Sequence, residues 1–242
     1  TVDNQDLHSL ENIDYIIVTQ DFLVNQAQRL ADYHNTNSGL VTKVIRLDQI
    51  YNEFSSGSPD LTAIRDFAKH LYDNATIKKL KYVCLFGDAS YDYKDRIEGN
   101  NNIVPVFEAY NSFNLASSYV TDDFYGMMDE NEGELNSFER QDIATGRIPV
   151  SDIVQAEQVV NKLLDYYSEA SFGDWRNKVT LIADDVDRDG EEILQSNMEK
   201  IAVSIFENKP VFNLKKIYLD AYAQESSASG KRYPTVNLDI IN

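Results

Sequence analysis

Compact runs of β-branched and aromatic residues alternate along this chain with stretches whose apolar residues recur every three or four positions. That alternation constrains the fold more than any other feature. "DYIIVT" (14–19) reads as a strand. "DFLVNQAQRLADYHNTNSG" then places Leu23, Ala27, Leu30 and His34 at helical spacing, with Gly39 as a stop signal. "VTKVIRL" (41–47) is a second strand. "SPDLTAIRDFAKHLYDNA" is a second helix, with Ser58 as its expected N-cap, Pro59 at the first helical position and a stripe of Leu61, Ile64, Ala68 and Leu71. "YVCLFGD" (82–88) is apolar on both faces, as a central parallel strand is.

Residues 89–142 break the rhythm. They are rich in Tyr, Asn, Asp and Gly and read as a long irregular excursion with a hairpin in it, a length of loop that usually has a function. "DIATGRIPV" (142–150) returns to the sheet. "SDIVQAEQVVNKLLDYY" is a helix, with Ser151 as cap and Ile153, Ala156, Val160, Leu163 and Tyr167 on one face. "NKVTLIAD" (177–184) is a further buried strand, "GEEILQSNMEKIAVSIF" a helix and "FNLKKIYLDAY" (212–222) a final strand. This order predicts an α/β fold with a mostly parallel sheet flanked by helices and right-handed crossovers. Ligands of such sheets bind outside the carboxyl ends of the strands, where Asp88, Asp184 and Asp185 fall.

Net charge is −18 over 242 residues, which disfavours nucleic acid and anionic membranes as partners. Hydrophobic residues make up 43%, enough for a packed core. No apolar run approaches the roughly 20 residues that a membrane helix needs, so no membrane segment is expected here. Cys84 is the one cysteine, so no internal disulfide is possible; mid-strand, it reads as a core residue. The ending "PTVNLDIIN" opens like an amphipathic helix, and the chain is expected to be a fragment.

The common cofactor and nucleophile motifs are absent: no phosphate loop, no G-x-G-x-x-G after the first strand, no H-E-x-x-H and no G-x-S-x-G. His34 and His70 read as helix histidines beside the apolar stripe. The stretch "LIADDVDRDGEE" (181–192) stands out. "DVDRDG" matches the first half of a calcium loop, but the twelfth position, which requires a bidentate Glu, is Ser196. Three readings stay open: an irregular oxygen-ligand site for calcium, a substrate pocket, or acidic residues at a helix N-terminus with Asp189 as N-cap.

Three ordered segments, "YVCLFGDASYD" (82–92), "SYVTDDFYGMMD" (118–129) and "DIATGRIPVSDIVQAEQVVNKLLDYY" (142–167), resemble the gingipain family of cysteine peptidases (peptidase C25). The likeness lies in a strand ending in Gly87-Asp88, a Thr121-Asp122-x-x-Tyr125-Gly126 segment and a Thr145-Gly146-Arg147-Ile148-Pro149 strand that turns into a long helix. Within the family, "GDASYDYKD", "ATGRIPV" and "ASGKRYP" look most like the sortase-type members of the type IX secretion system, which remove C-terminal signals from secreted proteins.

The resemblance implies a caspase-like α/β fold, of which this chain is the N-terminal portion: a first subdomain over 1–170 and the start of the catalytic subdomain over 171–242. It implies that the catalytic His and Cys lie beyond Asn242, on the strands after the helix that begins near Thr235, so that the chain carries no catalytic residue and is inactive alone. It implies an acidic residue that receives a basic substrate side chain, which points to Asp189, Glu191 and Glu192, with Glu192 the best match. No cofactor is required, but structural calcium is implied, with Asp185, Asp187 and Asp189 as ligands. Protein substrates and the missing C-terminal half of the catalytic subdomain are the implied partners, and the cell surface, the outer membrane or the exterior the implied location. A different class of function also fits the residues: a non-catalytic binding or scaffold module of a cell-surface protein, with the aromatic loop 89–142 as its partner surface.

Overall fold

The computed structural model describes residues 4–94, 96–109, 113–114, 117–135, 138–228 and 230–241. The chain divides into two compact units, Thr1–Tyr167 and Ser168–Asn242.

The first unit is built on a four-stranded sheet, every pair parallel, in the order β2-β1-β3-β6. The strands are β1 (Tyr15–Thr19), β2 (Thr42–Arg46), β3 (Tyr82–Phe86) and β6 (Ala144–Ile148). β1 and β3 are central, and Ile16, Ile17, Val18, Leu85 and Phe86 are fully buried, which is why both strands read as continuous apolar runs. Helix α1 (Val24–Asn37) packs through Ala27, Leu30 and Ala31. Helix α3 (Leu61–Asp73) packs through Ala63, Ile64, Phe67, Ala68 and Leu71. Its N-cap is Asp60, whose carboxylate accepts from the Thr62 amide at 2.9 Å, rather than Ser58. A helix α2 (Leu47–Phe54) follows β2 directly, where the apolar pattern suggested that the strand runs on to Leu47. Gln49 starts it by accepting from the Arg46 amide.

The excursion between β3 and β6 contains the expected hairpin, with β4 (Phe107–Glu108) antiparallel to β5 (Val120–Thr121). It then delivers Phe124, Tyr125 and Met128 into the core of the first unit. Two glycines permit the return. A Cβ on Gly87 would lie 2.6 Å from Ile103 Cγ2, and one on Gly126 would lie 2.8 Å from the Ile143 carbonyl oxygen. Helix α4 (Ile153–Tyr167) buries Ala156 and Val160, while Ile153 is exposed. Asp152 rather than Ser151 caps it: the Gln155 amide donates to Asp152 at 2.8 Å, and the Ser151 amide donates to the Gln155 side chain.

At the amino edge of this sheet Asp14 is 1% exposed. Its carboxylate accepts from the Val41 amide at 2.9 Å and from Lys78 and Lys81, each at 3.0 Å. Its backbone also bonds to Val41, Lys81 and Tyr82, so one residue ties β1 to both its neighbours.

In the second unit β7 (Lys178–Ala183) pairs in parallel with β8 (Asn213–Tyr218), and α5 (Glu192–Asn208) connects them. Leu181, Ala183, Ala202, Ile217 and Val236 are its buried apolar residues. β7 alternates in burial and leaves Ile182 exposed, where a fully buried strand was expected. β8 ends at Tyr218, four residues short of the predicted limit. It is followed by a hairpin of β9 (Glu225–Ser227) and β10 (Gly230–Arg232), which the apolar pattern does not mark, and by α6 (Val236–Ile241). Among the described residues no helix is long and apolar enough to cross a membrane.

Burial alone would raise the Asp14 carboxyl, but the Val41 amide, Lys78 and Lys81 together hold it below its ordinary 3.8. Its contribution to stability is therefore complete above that value and lost as pH falls through the lowered one. Asp14→Asn keeps an acceptor for the Val41 amide but loses the charge and turns an NH2 toward a lysine ammonium, and is expected to cost about 2 kcal/mol at neutral pH, limited because both lysines are partly in water. In urea unfolding the gap between the two proteins should be constant from pH 7 to 5 and close below pH 4. A gap that persisted into acid would contradict this assignment.

Candidate substrate pocket at the carboxyl ends of β7 and β8

The acidic stretch follows β7 directly, so it sits at the ligand-binding end of a parallel pair. There a cavity of about 750 Å³ is lined by Asp184, Asp185, Asp187, Glu225, Arg232 and Tyr233, with Leu219, Val236 and Ile240 as its apolar wall. Four carboxylates against one guanidinium favour a ligand with a positive group and an aliphatic stem.

The sequence-predicted residues divide into two sets. Asp185 and Asp187 line the cavity, and Asp189, Glu191 and Glu192 do not. Glu191 turns back on its own loop, where Oε2 accepts from the Asp187 and Arg188 amides at 2.9 and 3.0 Å. Glu192 accepts from the Gly190 amide at 2.9 Å, and Gly190 turns the chain with φ +96°. The N-cap position of α5 belongs to Glu191 rather than Asp189. Glu225, Arg232 and Tyr233 lie beyond the motif. The only sequence signal for Arg232 and Tyr233 was the tail "ASGKRYP", which carried no chemical pattern of its own, and Glu225 lies outside even that.

The proposed calcium ligands Asp185, Asp187 and Asp189 do not bring three oxygens within 4.8 Å of one another. Among the described residues the group that does is Asp129, Glu132 and Asp142. Backbone amides already engage that second group: Met128 donates to Asp142 at 2.8 Å and Asp129 to Glu132 at 3.0 Å.

At the carboxyl edge of the first sheet, Arg147 of β6 uses all five of its N–H groups. Nε and Nη2 grip the two Asp122 oxygens at 2.8 and 2.7 Å. Nη1 donates to the carbonyls of Gly87 and Val104 at 2.8 and 2.7 Å, and Nη2 also reaches Pro105 at 3.1 Å. Asp88 lies beside it; its Oδ2 accepts from Ser151 Oγ at 3.2 Å, and its carbonyl accepts from the Ile103 and Val104 amides.

Cys84 and His34 line one cavity on this sheet, yet they are not a nucleophile and base. Burial pushes the Cys84 thiol up to about 12, so it is protonated at neutral pH. Burial lowers the His34 imidazole, and its Nδ1 is 3.0 Å from Ser38 Oγ.

Glu191→Ala removes the acceptor shared by two loop amides without touching the core. Hydrogen exchange at Asp187 and Arg188 is expected to accelerate about tenfold, while global stability changes by less than about 1 kcal/mol. Unchanged exchange at both amides would show that Glu191 does not hold the loop.

The model of peptidase family C25 matches residues 8–242. A protein of Archaeoglobus fulgidus described as uncharacterized is 27% identical over 164 residues, which cover 67% of this chain and 37% of that protein. The crystal structure of dimeric latent PorU from Porphyromonas gingivalis is similar, with a TM-score of 0.62 and 36% identity over 72% of this chain. The match spans 17% of the PorU chain, so this chain covers well under half of both relatives. The α/β fold is the caspase-like one that the sequence resemblance implies. The chain belongs to peptidase family C25.

Proposed function

We propose that residues 1–242 form the substrate side of a PorU-like cysteine peptidase of the sortase type, which trims C-terminal signals from proteins of the type IX secretion route at the cell surface. The observation that carries this reading is the family match over 8–242 together with an acidic cavity at the carboxyl ends of β7 and β8. Asp184, Asp185 and Asp187 attract the cationic end of a lysine or arginine of the substrate, and Leu219, Val236 and Ile240 pack along its stem. Glu191 and Glu192 serve the same site indirectly, by holding the loop that presents those carboxylates.

The reaction needs a thiolate and an imidazole assembled in one place. In this reading the buried Cys84 is not the nucleophile; the catalytic Cys and His belong to the catalytic half of the parent protein, and the chain alone is inactive. A binding module is the second reading. It is favoured by the exposed rings of Tyr91, Tyr93, Tyr119 and Phe138 on the excursion, of which residues 95, 110–112, 115–116 and 136–137 lie outside the described ones.

The test compares hydrolysis of a peptide with a basic residue before the cleaved bond and of its neutral counterpart. Residues 1–242 alone should turn over neither, and the full-length protein should cleave the basic one. Asp185→Lys in the full-length protein should lower kcat/KM for the basic peptide at least about tenfold and leave the neutral one within about twofold. A full-length protein that binds partners but cleaves nothing would favour the binding module. Cleavage by the isolated chain would contradict the expected place of the catalytic pair.

A further inference from the structure

We infer that the β9–β10 hairpin, through Tyr233 and Gln224, positions Asp185 for a cationic side chain and so sets how strongly this cavity discriminates charge. The inference rests on the reading of the cavity as the substrate pocket. It starts from register. The last residue of β10, Arg232, pairs with the first of β9, Glu225. Gln224 immediately precedes that pair and Tyr233 immediately follows it, so the base of the hairpin brings the two side chains together. Gln224 Nε2 donates to the Tyr233 hydroxyl at 2.6 Å and to Asp185 Oδ2 at 3.2 Å. Gln224 thus bridges the Tyr233 hydroxyl and the Asp185 carboxylate. An acceptor-only group held by a donor from another segment, itself anchored on a tyrosine, is oriented before a ligand arrives, which lowers the cost of binding.

Desolvation first, and then the Asp185 carboxylate, push the Tyr233 phenol up to about 12, so it stays protonated across the neutral range. Neither residue is a core residue: Gln224 is exposed, Tyr233 is half-buried, and the buried apolar residues of this unit lie elsewhere. A purely architectural role therefore has little to act on. Asp185, Tyr233, Glu225 and Arg232 all line the same cavity, which makes the hairpin one wall of the site.

The experiment uses the full-length protein and two fluorescent capped peptides that differ only in arginine or citrulline, its neutral counterpart of the same shape. The wild type should prefer arginine at least about tenfold. Tyr233→Phe keeps the ring and removes the hydroxyl that anchors Gln224 beside Asp185, so it should reduce that preference about fivefold and leave the melting temperature unchanged. Asp185→Asn should reduce the preference further, with Asp184 and Asp187 supplying what remains, and the double variant should be no worse than Asp185→Asn alone, because Tyr233 acts through Asp185. A Tyr233→Phe protein with wild-type preference, or losses that add in the double variant, would overturn the inference while leaving the pocket reading intact. A wild type with no preference for arginine would remove the pocket reading, and this inference with it.

Discussion

The guanidinium of Arg147 joins four separate segments of the first unit. Besides β6 itself these are Asp122 just after β5, Gly87 just after β3, and Val104 and Pro105 just before β4. Arg147 and Asp122 are mostly buried, at 13% and 20% side-chain exposure. A buried ion pair of this kind is weak evidence for net stability, since both charges must leave water. Its value here is geometric. Five donors in a rigid plane specify where three carbonyls and a carboxylate must be, and a long irregular loop acquires one conformation. Gly87 and Gly126 supply the space that this conformation needs. The Gly-Asp, Thr-Asp-x-x-Tyr-Gly and Gly-Arg-Ile-Pro segments, far apart in the chain, are thus parts of one hydrogen-bonded assembly.

Asp14 does the corresponding work at the opposite edge, where one carboxylate and its backbone align β1 with β2 and β3. Between the two charged clamps the central strands β1 and β3 are packed with buried apolar residues. The second unit has a thinner core and places its polar residues differently. Its carboxylates follow β7 in a row, and some of them are spent on the loop's own amides. The division is chemical: Glu191 and Glu192 satisfy orphan donors near the start of α5, and the shorter Asp184, Asp185 and Asp187 line the cavity.

Much of the fold was legible in the order of apolar runs. β1, β3, β6 and α4 announce themselves, because central parallel strands and amphipathic helices leave strong periodic signals. α2 did not, because Leu47 continues the apolar pattern of β2 while the Gln49 side chain starts a helix there. Ser58 looked like a cap by residue type, yet Asp60 takes the role with its carboxylate on the Thr62 amide. The hairpin of β9 and β10 is three residues per strand and polar, too short for any period to register. The site followed the same rule. The acidic row was visible, but which carboxylates face the cavity depends on a loop folded by side chain-to-backbone bonds, and residue type does not encode those directions. Tyr233 was invisible for a further reason: it reaches Asp185 from 48 positions away only because a short hairpin closes between them.

The measurement that bears most directly on the role of Arg147 is urea unfolding of Arg147→Lys with hydrogen exchange read at the Ile103 and Val104 amides. Lysine keeps the charge but cannot span Asp122 and three carbonyls at once. The account predicts a loss of about 3 kcal/mol, with protection at those two amides reduced more than in β1. A stability within about 0.5 kcal/mol of the wild type, with protection at Ile103 and Val104 unchanged, would show that the excursion folds back without its arginine and would contradict the account.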